Sequence, residues 1–343
     1  MESSRAVSRR ARRSHRPLLS LALASVAVVG ATAAGTVYMK AQAHSGSGAV
    51  SSAATPSASP PPATTTQEAA VAEPVVDFDE RLARAMKSVT VTGRAKVSVA
   101  VLDFDSGDSA VHGGSAFDTA SIVKVDILAA LLLRHQEAGT SLSAREKAYA
   151  TSMIENSDNA SASALWDAIG KAAGLDAANR TLGLTGTEGG DGALWGLTQT
   201  TAADQLALLQ QVFGDDSALS QASRSYLQGL MGQIEADQRW GVSAAADGPG
   251  FALKNGWLPR STTGLWDVNS IGRVTVDGRT YLVAVLSNGN STQAEGISLV
   301  EAAAKAAVSV FTNTDTDTDT DTNADADTAA EAGAGASAAS VSR

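Results

Sequence analysis

The sequence contains no cysteine among its 343 residues. This absence excludes disulfides, thiol catalysis and metal sites built on thiolates, and it suits an exported protein that avoids oxidation chemistry. Histidine is also scarce, and neither an H-E-x-x-H pattern nor a comparable ligand spacing occurs. We therefore expect no metal and no organic cofactor.

A net positive charge is missing as well, since the formal net charge is −10. The basic residues near the N-terminus and the acidic residues near the C-terminus cancel, so the part between them is itself acidic. An acidic domain argues against nucleic acid as a partner. The sequence also lacks a G-x-S-x-G pattern, which argues against a Ser-His-Asp hydrolase.

The N-terminal segment has the composition of an export signal. Several arginines precede an apolar run from Pro17 to about Met39, and a small-residue cleavage site follows near Ala43. We expect residues 1–43 to be a signal peptide. Because the run is long enough to span a bilayer, an uncleaved membrane anchor is the alternative. Either interpretation predicts a secreted or cell-surface protein.

Two further segments are too biased in composition to bury a core. Residues 44–75 are rich in Ser, Ala, Pro and Thr, which predicts a linker. In residues 313–343, Thr and Asp alternate and then give way to Ala, Gly and Ser, which predicts a disordered acidic tail. The tail lacks the glycine turn and the closing glutamate of a calcium loop. The folded domain is therefore expected at residues 76–312.

Within that domain, apolar periodicity predicts strands at both ends and helices in the middle. The predicted strands are 96–104, 110–112, 251–255, 266–276 and 280–286. The predicted helices are 77–87, 119–136, 143–155, 160–172, 200–213, 219–236 and 293–310. This order predicts an α+β fold, with a five-stranded antiparallel sheet flanked by helices on both faces and an additional all-helical lobe.

One predicted helix brings two reactive side chains together. Asp118 and Thr119 are favourable N-cap residues, so Ser121 is expected in the first turn, near unsatisfied backbone N–H groups. Lys124 follows one turn later on the same face. A lysine kept near neutral by burial or by other positive charge could take the proton from the serine. This S-x-x-K arrangement predicts a serine nucleophile that needs no histidine.

Two more short motifs follow, Ser157-Asp158-Asn159 between two predicted helices and Lys254-Asn255-Gly256 at the end of a predicted strand. The three motifs in this order resemble those of the serine β-lactamase and penicillin-binding-protein superfamily, most closely its class A β-lactamase-like members. The resemblance covers about residues 78–311. It implies a β-lactamase/transpeptidase-like fold for nearly the whole domain.

The resemblance also implies roles for the first two motifs. Ser121 would be the nucleophile that forms an acyl-enzyme, and Lys124 would be its proton acceptor. Ser157 would relay a proton to the leaving nitrogen, and Asn159 would hold the substrate amide and the lysine. Asp158 is expected to cap the following helix. The alternative is that the whole second motif serves only as that cap.

For the third motif, the resemblance implies that Lys254 attracts a substrate carboxylate and lowers the pKa of the first lysine. Gly256 would let the substrate backbone lie against the strand edge, and the N–H of Trp257 would complete an oxyanion hole with that of the nucleophile. The family usually has Thr or Ser at the middle position, where its hydroxyl helps to bind the carboxylate. Here Asn255 would donate an amide hydrogen instead.

A larger departure from the family lies in residues 183–201. Class A β-lactamases carry there a glutamate, in an E-x-x-L-N pattern, that activates the deacylating water, and this pattern does not occur in the chain. Glu188 and Asp191 are the only carboxylates of the segment, and we interpret both as solvated turn residues. The acyl-enzyme is therefore expected to form but to hydrolyse slowly.

These observations predict an exported, monomeric serine hydrolase that opens β-lactams or related amides. The alternative among enzymes is a D-alanyl-D-alanine carboxypeptidase or another penicillin-binding type of peptidoglycan enzyme. The alternative outside enzymes is a wall-binding module of the same fold. The expected partner is a small β-lactam or a peptidoglycan stem peptide, and a membrane contact is expected only through an N-terminal anchor.

Overall fold

The computed structural model describes residues 76–312, so the predicted signal or anchor, linker and acidic tail lie outside the described residues. The α-helices are α1 (Phe78–Met86), α2 (Val123–Glu137), α3 (Ala144–Glu155), α4 (Asn159–Ile169), α5 (Lys171–Leu182), α6 (Ala202–Phe213), α7 (Gln221–Met231) and α8 (Gln293–Thr312). The strands are β1 (Lys96–Asp103), β2 (Ser109–His112), β3 (Phe117–Asp118), β4 (Gln199–Thr200), β5 (Phe251–Pro259), β6 (Trp266–Val276) and β7 (Arg279–Asn290).

Five strands form one antiparallel sheet in the order β2-β1-β7-β6-β5. The register of β1 against β7 runs from Lys96 opposite Asn288 to Asp103 opposite Tyr281. The first hairpin of the domain is thereby joined to its last three strands. The predicted five-stranded antiparallel sheet is confirmed.

The sheet separates two apolar cores. Successive side chains of a strand point to opposite faces. On β7, Leu282 and Ala284 pack into the core of the helical lobe, whereas Val283 and Val285 pack with α1 and α8 on the other face. The predicted placement of helices on both faces is therefore confirmed.

Helix α2 runs through the middle of the helical lobe, in contact with α4, α5 and α7. All residues from Val123 to Leu133 are buried, which is typical of a helix surrounded by other elements. This placement carries two ionisable side chains, Lys124 and Asp126, into the interior. None of the helices within residues 76–312 is both long and apolar enough to cross a membrane.

Side-chain caps define several helix starts. Ser143 and Glu146 form a capping box at α3. Asp158 caps α4, as predicted, by accepting a hydrogen bond from the Ser161 N–H at 2.6 Å. Thr201 caps α6 in the same way. These caps fix the direction in which each helix leaves its loop.

The start of α2 differs from the prediction. A 3-10 turn, Ala120–Ile122, precedes the α-helix, and Thr119 makes no side-chain capping hydrogen bond. Asp118 does not cap it either, because it lies in the short β3–β4 ladder opposite Gln199. Two-residue strands of this kind have no periodicity and were not predicted.

Other boundaries also differ. The predicted helix 160–172 is interrupted at Gly170, whose φ of 92° ends α4, and the following helix α5 was not predicted. The predicted helix 219–236 ends already at Met231, just before Gly232. Strands β5 and β7 continue beyond their predicted ends because pairing with β6 extends them.

Candidate active site

The amine of Lys124 is the point where two of the three motifs meet. Its Nζ lies 2.9 Å from Ser121 Oγ, 3.0 Å from Ser157 Oγ and 2.8 Å from Asn159 Oδ1. It also donates to the backbone carbonyl of Ser157 at 2.6 Å. The second motif therefore contacts Lys124 in addition to capping α4.

These neighbours fit an uncharged amine. A carbonyl or amide oxygen can only accept, so the Ser157 carbonyl and Asn159 Oδ1 together take two hydrogens. A neutral amine has only two, and its lone pair is then left for a hydroxyl hydrogen. The arrangement therefore allows the Ser121 hydroxyl to donate its proton toward Lys124.

The burial of Lys124 acts in the same direction. Its side chain is 0% exposed, and this desolvation lowers its pKa from 10.5 to about 7, although the negative charge of Asp158 opposes the shift. A substantial fraction of the amine is therefore neutral near pH 7. The predicted depression of the pKa comes first from burial.

Lys254 brings the third motif to the same place. Its Nζ donates to Ser157 Oγ at 3.1 Å and to the Asn255 carbonyl at 2.8 Å. Burial first, and then the positive charge of Lys124, hold its pKa well below the usual range of a lysine. The Ser157 hydroxyl thus lies between two amines, a suitable position for a proton relay.

Two of the four residues other than glycine that have a positive φ within residues 76–312 lie next to these side chains. Ala120, which precedes Ser121, has φ of 48°, and Ser157 has φ of 56°. A residue other than glycine rarely adopts this left-handed conformation, which is found most often where function requires it. In both cases the strained backbone orients a serine toward Lys124.

Gly256 is required by the chain itself. A Cβ on Gly256 would lie 2.7 Å from the Ser121 nitrogen and 2.8 Å from the Thr119 carbonyl oxygen. The Asn269 amide fastens the same turn to the sheet by donating to the carbonyls of Asp118 and Thr119. The space at Gly256 is thus taken by the nucleophile's turn, and the predicted reason, room for the substrate backbone, needs correction.

Asn255 also differs from the expectation. Its side chain is 1% exposed, and its amide donates to the carbonyls of Gln238 at 2.7 Å and Trp240 at 3.0 Å. It has no hydrogen free for a substrate carboxylate, so its predicted role in substrate binding is wrong. Because neighbouring side chains of a strand face opposite sides of the sheet, Lys254 points toward Ser157 whereas Asn255 is buried on the other side, against Gln238 and Trp240.

A cleft of about 640 Å³ opens at Ser121. One wall is the loop of residues 193–197, and the other is residues 257–262 at the end of β5. Trp257 belongs to the second wall, and its ring packs against that of Trp240 with centroids 5.9 Å apart. Asn159 lines the cleft between the two walls.

The lining of this cleft contains no carboxylate. Glu188 and Asp191 are both exposed, as predicted, and do not line the cleft, although Glu188 lies in a β-bridge opposite Gln199 rather than in a turn. Within residues 76–312, no group of His, Asp or Glu side chains is placed to hold a metal ion. The site therefore offers no carboxylate to activate a water at Ser121.

Two residues that line the cleft, Trp195 and Arg260, were not predicted from the sequence. The ring centroid of Trp195 lies 5.0 Å from Lys124 Nζ, and its indole N–H donates to Ser163 Oγ at 3.1 Å. A tryptophan in a glycine-rich loop was the one available signal. Arg260 forms ion pairs with Asp118 and, at 3.6 Å, with Asp267.

The sequence comparisons agree with this geometry. A model described as the beta-lactamase enzyme family matches residues 132–311, which include the second and third motifs but begin after Ser121. The "Putative lipoprotein LppW" of Mycobacterium tuberculosis is 28% identical over 203 residues, which is 55% of this chain and 63% of that protein. The chain thus matches less than two thirds of that relative's length.

This chain aligns with solved structures of similar fold over nearly the whole length of those structures. PBP-A has a TM-score of 0.58 and 22% identity, covering 68% of this chain and 96% of that one. The TLA-3 extended-spectrum beta-lactamase has a TM-score of 0.59 and 17% identity, covering 68% and 98%. A beta lactamase of Xanthomonas campestris has a TM-score of 0.52 and 22% identity, covering 69% and 100%. These likenesses confirm the predicted fold.

Proposed function

Since this chain belongs to the beta-lactamase enzyme family, we propose that it is an exported serine hydrolase that opens β-lactams or related amides through an acyl-enzyme on Ser121. The observation that carries the proposal is the environment of Lys124. Two obligate acceptors occupy the hydrogens of its neutral amine, and the Ser121 hydroxyl lies 2.9 Å from the same nitrogen.

In the proposed acylation, the Ser121 Oγ attacks the carbonyl carbon while its proton passes to the neutral Lys124 amine. The negative charge that develops on the carbonyl oxygen is stabilised by the backbone N–H groups of Ser121 and Trp257. The product of this step is a tetrahedral intermediate and a protonated lysine. A charged lysine is costly at this buried position, which favours rapid onward transfer of the proton.

The leaving nitrogen then receives a proton from the Ser157 hydroxyl, and the C–N bond breaks to give the acyl-enzyme. Ser157 recovers a proton from the Lys124 ammonium, whose Nζ lies 3.0 Å from its Oγ. The Lys254 amine, on the other side of Ser157 at 3.1 Å, donates a hydrogen bond that stabilises the transient alkoxide. The lysine is thereby returned to its neutral form with no net change in protons.

Hydrolysis of the acyl-enzyme is proposed to be slow, because the cleft lining contains no carboxylate that could activate water. One structure of similar fold, 21% identical, is a mutant of PBP-A in an acyl-enzyme complex with penicillin G. Slow hydrolysis and the likeness to PBP-A favour a second candidate function, a penicillin-binding type of peptidoglycan enzyme such as a D-alanyl-D-alanine carboxypeptidase.

Export to the cell surface is part of the proposal. The arginines and the apolar run within residues 1–43 support it, and a relative named as a lipoprotein is in accord with it. Because this chain has no cysteine, a lipid attached through a cysteine thiol is not available to it. The exported protein would then either be released after cleavage of the signal peptide or be retained in the membrane by the uncleaved apolar run.

Intact-protein mass spectrometry with penicillin G tests the proposal. A β-lactam remains attached after ring opening, so the acyl-enzyme is heavier by the whole mass of the antibiotic. We expect a lasting adduct that is absent in Ser121→Ala. Rapid loss of the adduct would indicate an efficient β-lactamase, and an adduct in Ser121→Ala would refute the assigned nucleophile. No adduct, together with binding of peptidoglycan, would favour the wall-binding module.

A further inference from the structure

We propose that Trp195 is a positioning residue whose ring covers the Lys124 amine and keeps water away from it. Nothing in the three sequence motifs assigns a role to this tryptophan. The proposal concerns how a lysine on this fold becomes a base near neutral pH. It deepens the function proposed above and rests on it for its catalytic consequence.

The neighbours of the Lys124 amine show which side of it the Trp195 ring covers. The first two sequence motifs contact Lys124 Nζ through Ser121, Ser157 and Asn159. The Trp195 ring, with its centroid 5.0 Å away, belongs to the facing wall of the cleft. The cleft is open to solvent, yet Lys124 is 0% exposed. The ring therefore stands between the amine and the water of the cleft.

The tryptophan is held in this position from several directions. Its indole N–H donates to Ser163 Oγ at 3.1 Å, one turn beyond Asn159 on α4. The carbonyl of Thr198, at the end of the loop, accepts from the Thr119 N–H at 2.9 Å. The loop is thus fastened both to α4 and to the segment that precedes the nucleophile, so the ring is pre-organised over the amine.

The ring has two opposed effects on Lys124. A cation over an aromatic face is stabilised by the ring, which favours the charged amine. Exclusion of water disfavours the charged amine, and burial is the largest cause of the lowered pKa. Removal of the ring would open the amine to a cleft of about 640 Å³. We therefore expect rehydration to prevail and the pKa of Lys124 to rise.

A lysine NMR titration tests the proposal without relying on activity. The protein is prepared with ¹³C at the lysine Cε, and the Lys124 resonance is assigned by its absence in Lys124→Arg. We expect a wild-type midpoint near pH 7. Trp195→Ala should raise the midpoint by about one pH unit or more. Trp195→Phe, which keeps a ring over the amine but loses the bond to Ser163, should change it by less than about half a unit.

The acylation rate provides the second readout. With penicillin G at pH 7, a rise of the Lys124 midpoint from about 7 to about 8 in Trp195→Ala should slow acylation about fivefold, and each further unit about tenfold. Trp195→Phe should stay within about threefold of wild type. If alanine prevents folding, as judged by thermal unfolding, Trp195→Leu replaces it, since leucine keeps apolar contact but uncovers part of the amine.

The outcomes separate this inference from the proposed function. An unchanged Lys124 midpoint in a folded Trp195→Ala or Trp195→Leu protein would overturn the role of Trp195, whatever the activity. A raised midpoint in a protein whose wild type forms no adduct would support the role of Trp195 and reject the acyl-enzyme. A raised midpoint with slower acylation would support both.

Discussion

A Cβ placed on Gly256 would lie 2.7 Å from the backbone nitrogen of Ser121, so the third motif and the nucleophile are in direct backbone contact. The contact sets the distance between β5 and the 3-10 turn that carries Ser121. In the proposed mechanism, this distance also sets the separation of the Ser121 and Trp257 N–H groups that receive the oxyanion.

Gly256→Ala should therefore impair catalysis more than folding. The added methyl group must push β5 away from the nucleophile's turn, and we expect acylation by penicillin G to fall by about 100-fold. The free energy of unfolding should fall by about 1–3 kcal/mol. Both can be measured, by intact mass over time and by urea unfolding.

Gly248→Ala is the matched control, because a Cβ at this exposed glycine would meet no atom within 4 Å. It should leave both quantities unchanged. Wild-type acylation by a folded Gly256→Ala protein would show that the close approach of β5 is not needed for the reaction.

The pH dependence of acylation should follow the neutral form of Lys124. Because burial lowers its pKa to about 7, the neutral fraction rises about tenfold per unit below pH 7 and levels off above it. The acylation rate should rise in the same way. In Lys124→Arg the side chain stays charged, and we expect a loss of about 10²–10⁴-fold. A rate that is flat between about pH 5 and 9 would exclude this lysine as the base.

Asn255→Ala should affect stability rather than acylation. The substitution leaves the buried carbonyls of Gln238 and Trp240 without their donor, which should lower the free energy of unfolding by about 2 kcal/mol. Acylation by the folded protein should stay within about threefold of wild type, since the side chain faces away from Ser121. Urea unfolding and adduct formation measure the two effects.

Asn159→Ala provides the comparison within the site. It removes an acceptor 2.8 Å from Lys124 Nζ, on a residue that is exposed to the cleft. We expect acylation to slow by more than about tenfold with little loss of stability. If Asn255→Ala slowed acylation as much as Asn159→Ala does, the Asn255 side chain would take part in substrate binding after all.

The predictable part of the site is the part set by local spacing. Ser121 and Lys124 are one helical turn apart, and that spacing alone places their side chains together, even though the turn is 3-10 at its start. The capping role of Asp158 is equally local. The convergence of Lys124 and Lys254 on the Ser157 hydroxyl needed the resemblance to a family, because no local rule joins residues so far apart in sequence.

The unpredicted part depends on long-range packing. Trp195 lies in a loop without periodicity, and only the fold brings its ring over Lys124. The direction of Asn255 follows from the inward direction of Lys254, which becomes known only when the sheet is assembled. The break at Gly170 depends on a left-handed backbone, which some glycines of residues 76–312 adopt and others do not, and the local sequence does not distinguish them.

Asp126 lies buried on α2, two residues after Lys124. Burial raises its pKa from 3.8 to about 7; the Asn179 side chain opposes this shift, and the charges of Asp176 and Asp204 add to it. At a pH between these two pKa values, Asp126 has lost its proton in the unfolded chain but keeps it in the folded protein. The contribution of Asp126 to the free energy of unfolding should therefore fall as the pH rises from about 4 to 7, and stay low above that.

Asp126→Asn should remove this dependence, because an amide of nearly the same shape carries no charge. We expect the variant to exceed wild type in the free energy of unfolding by about 1–4 kcal/mol at pH 8, and by clearly less at pH 5. Urea unfolding at the two pH values measures the difference, with Asp191→Asn as an exposed control that should change neither. An equal gain at both pH values would mean that Asp126 is charged throughout. The negative charge would then have to be balanced within the lobe, and the nearest buried cation on the same helix is Lys124, whose neutral state the proposed mechanism requires.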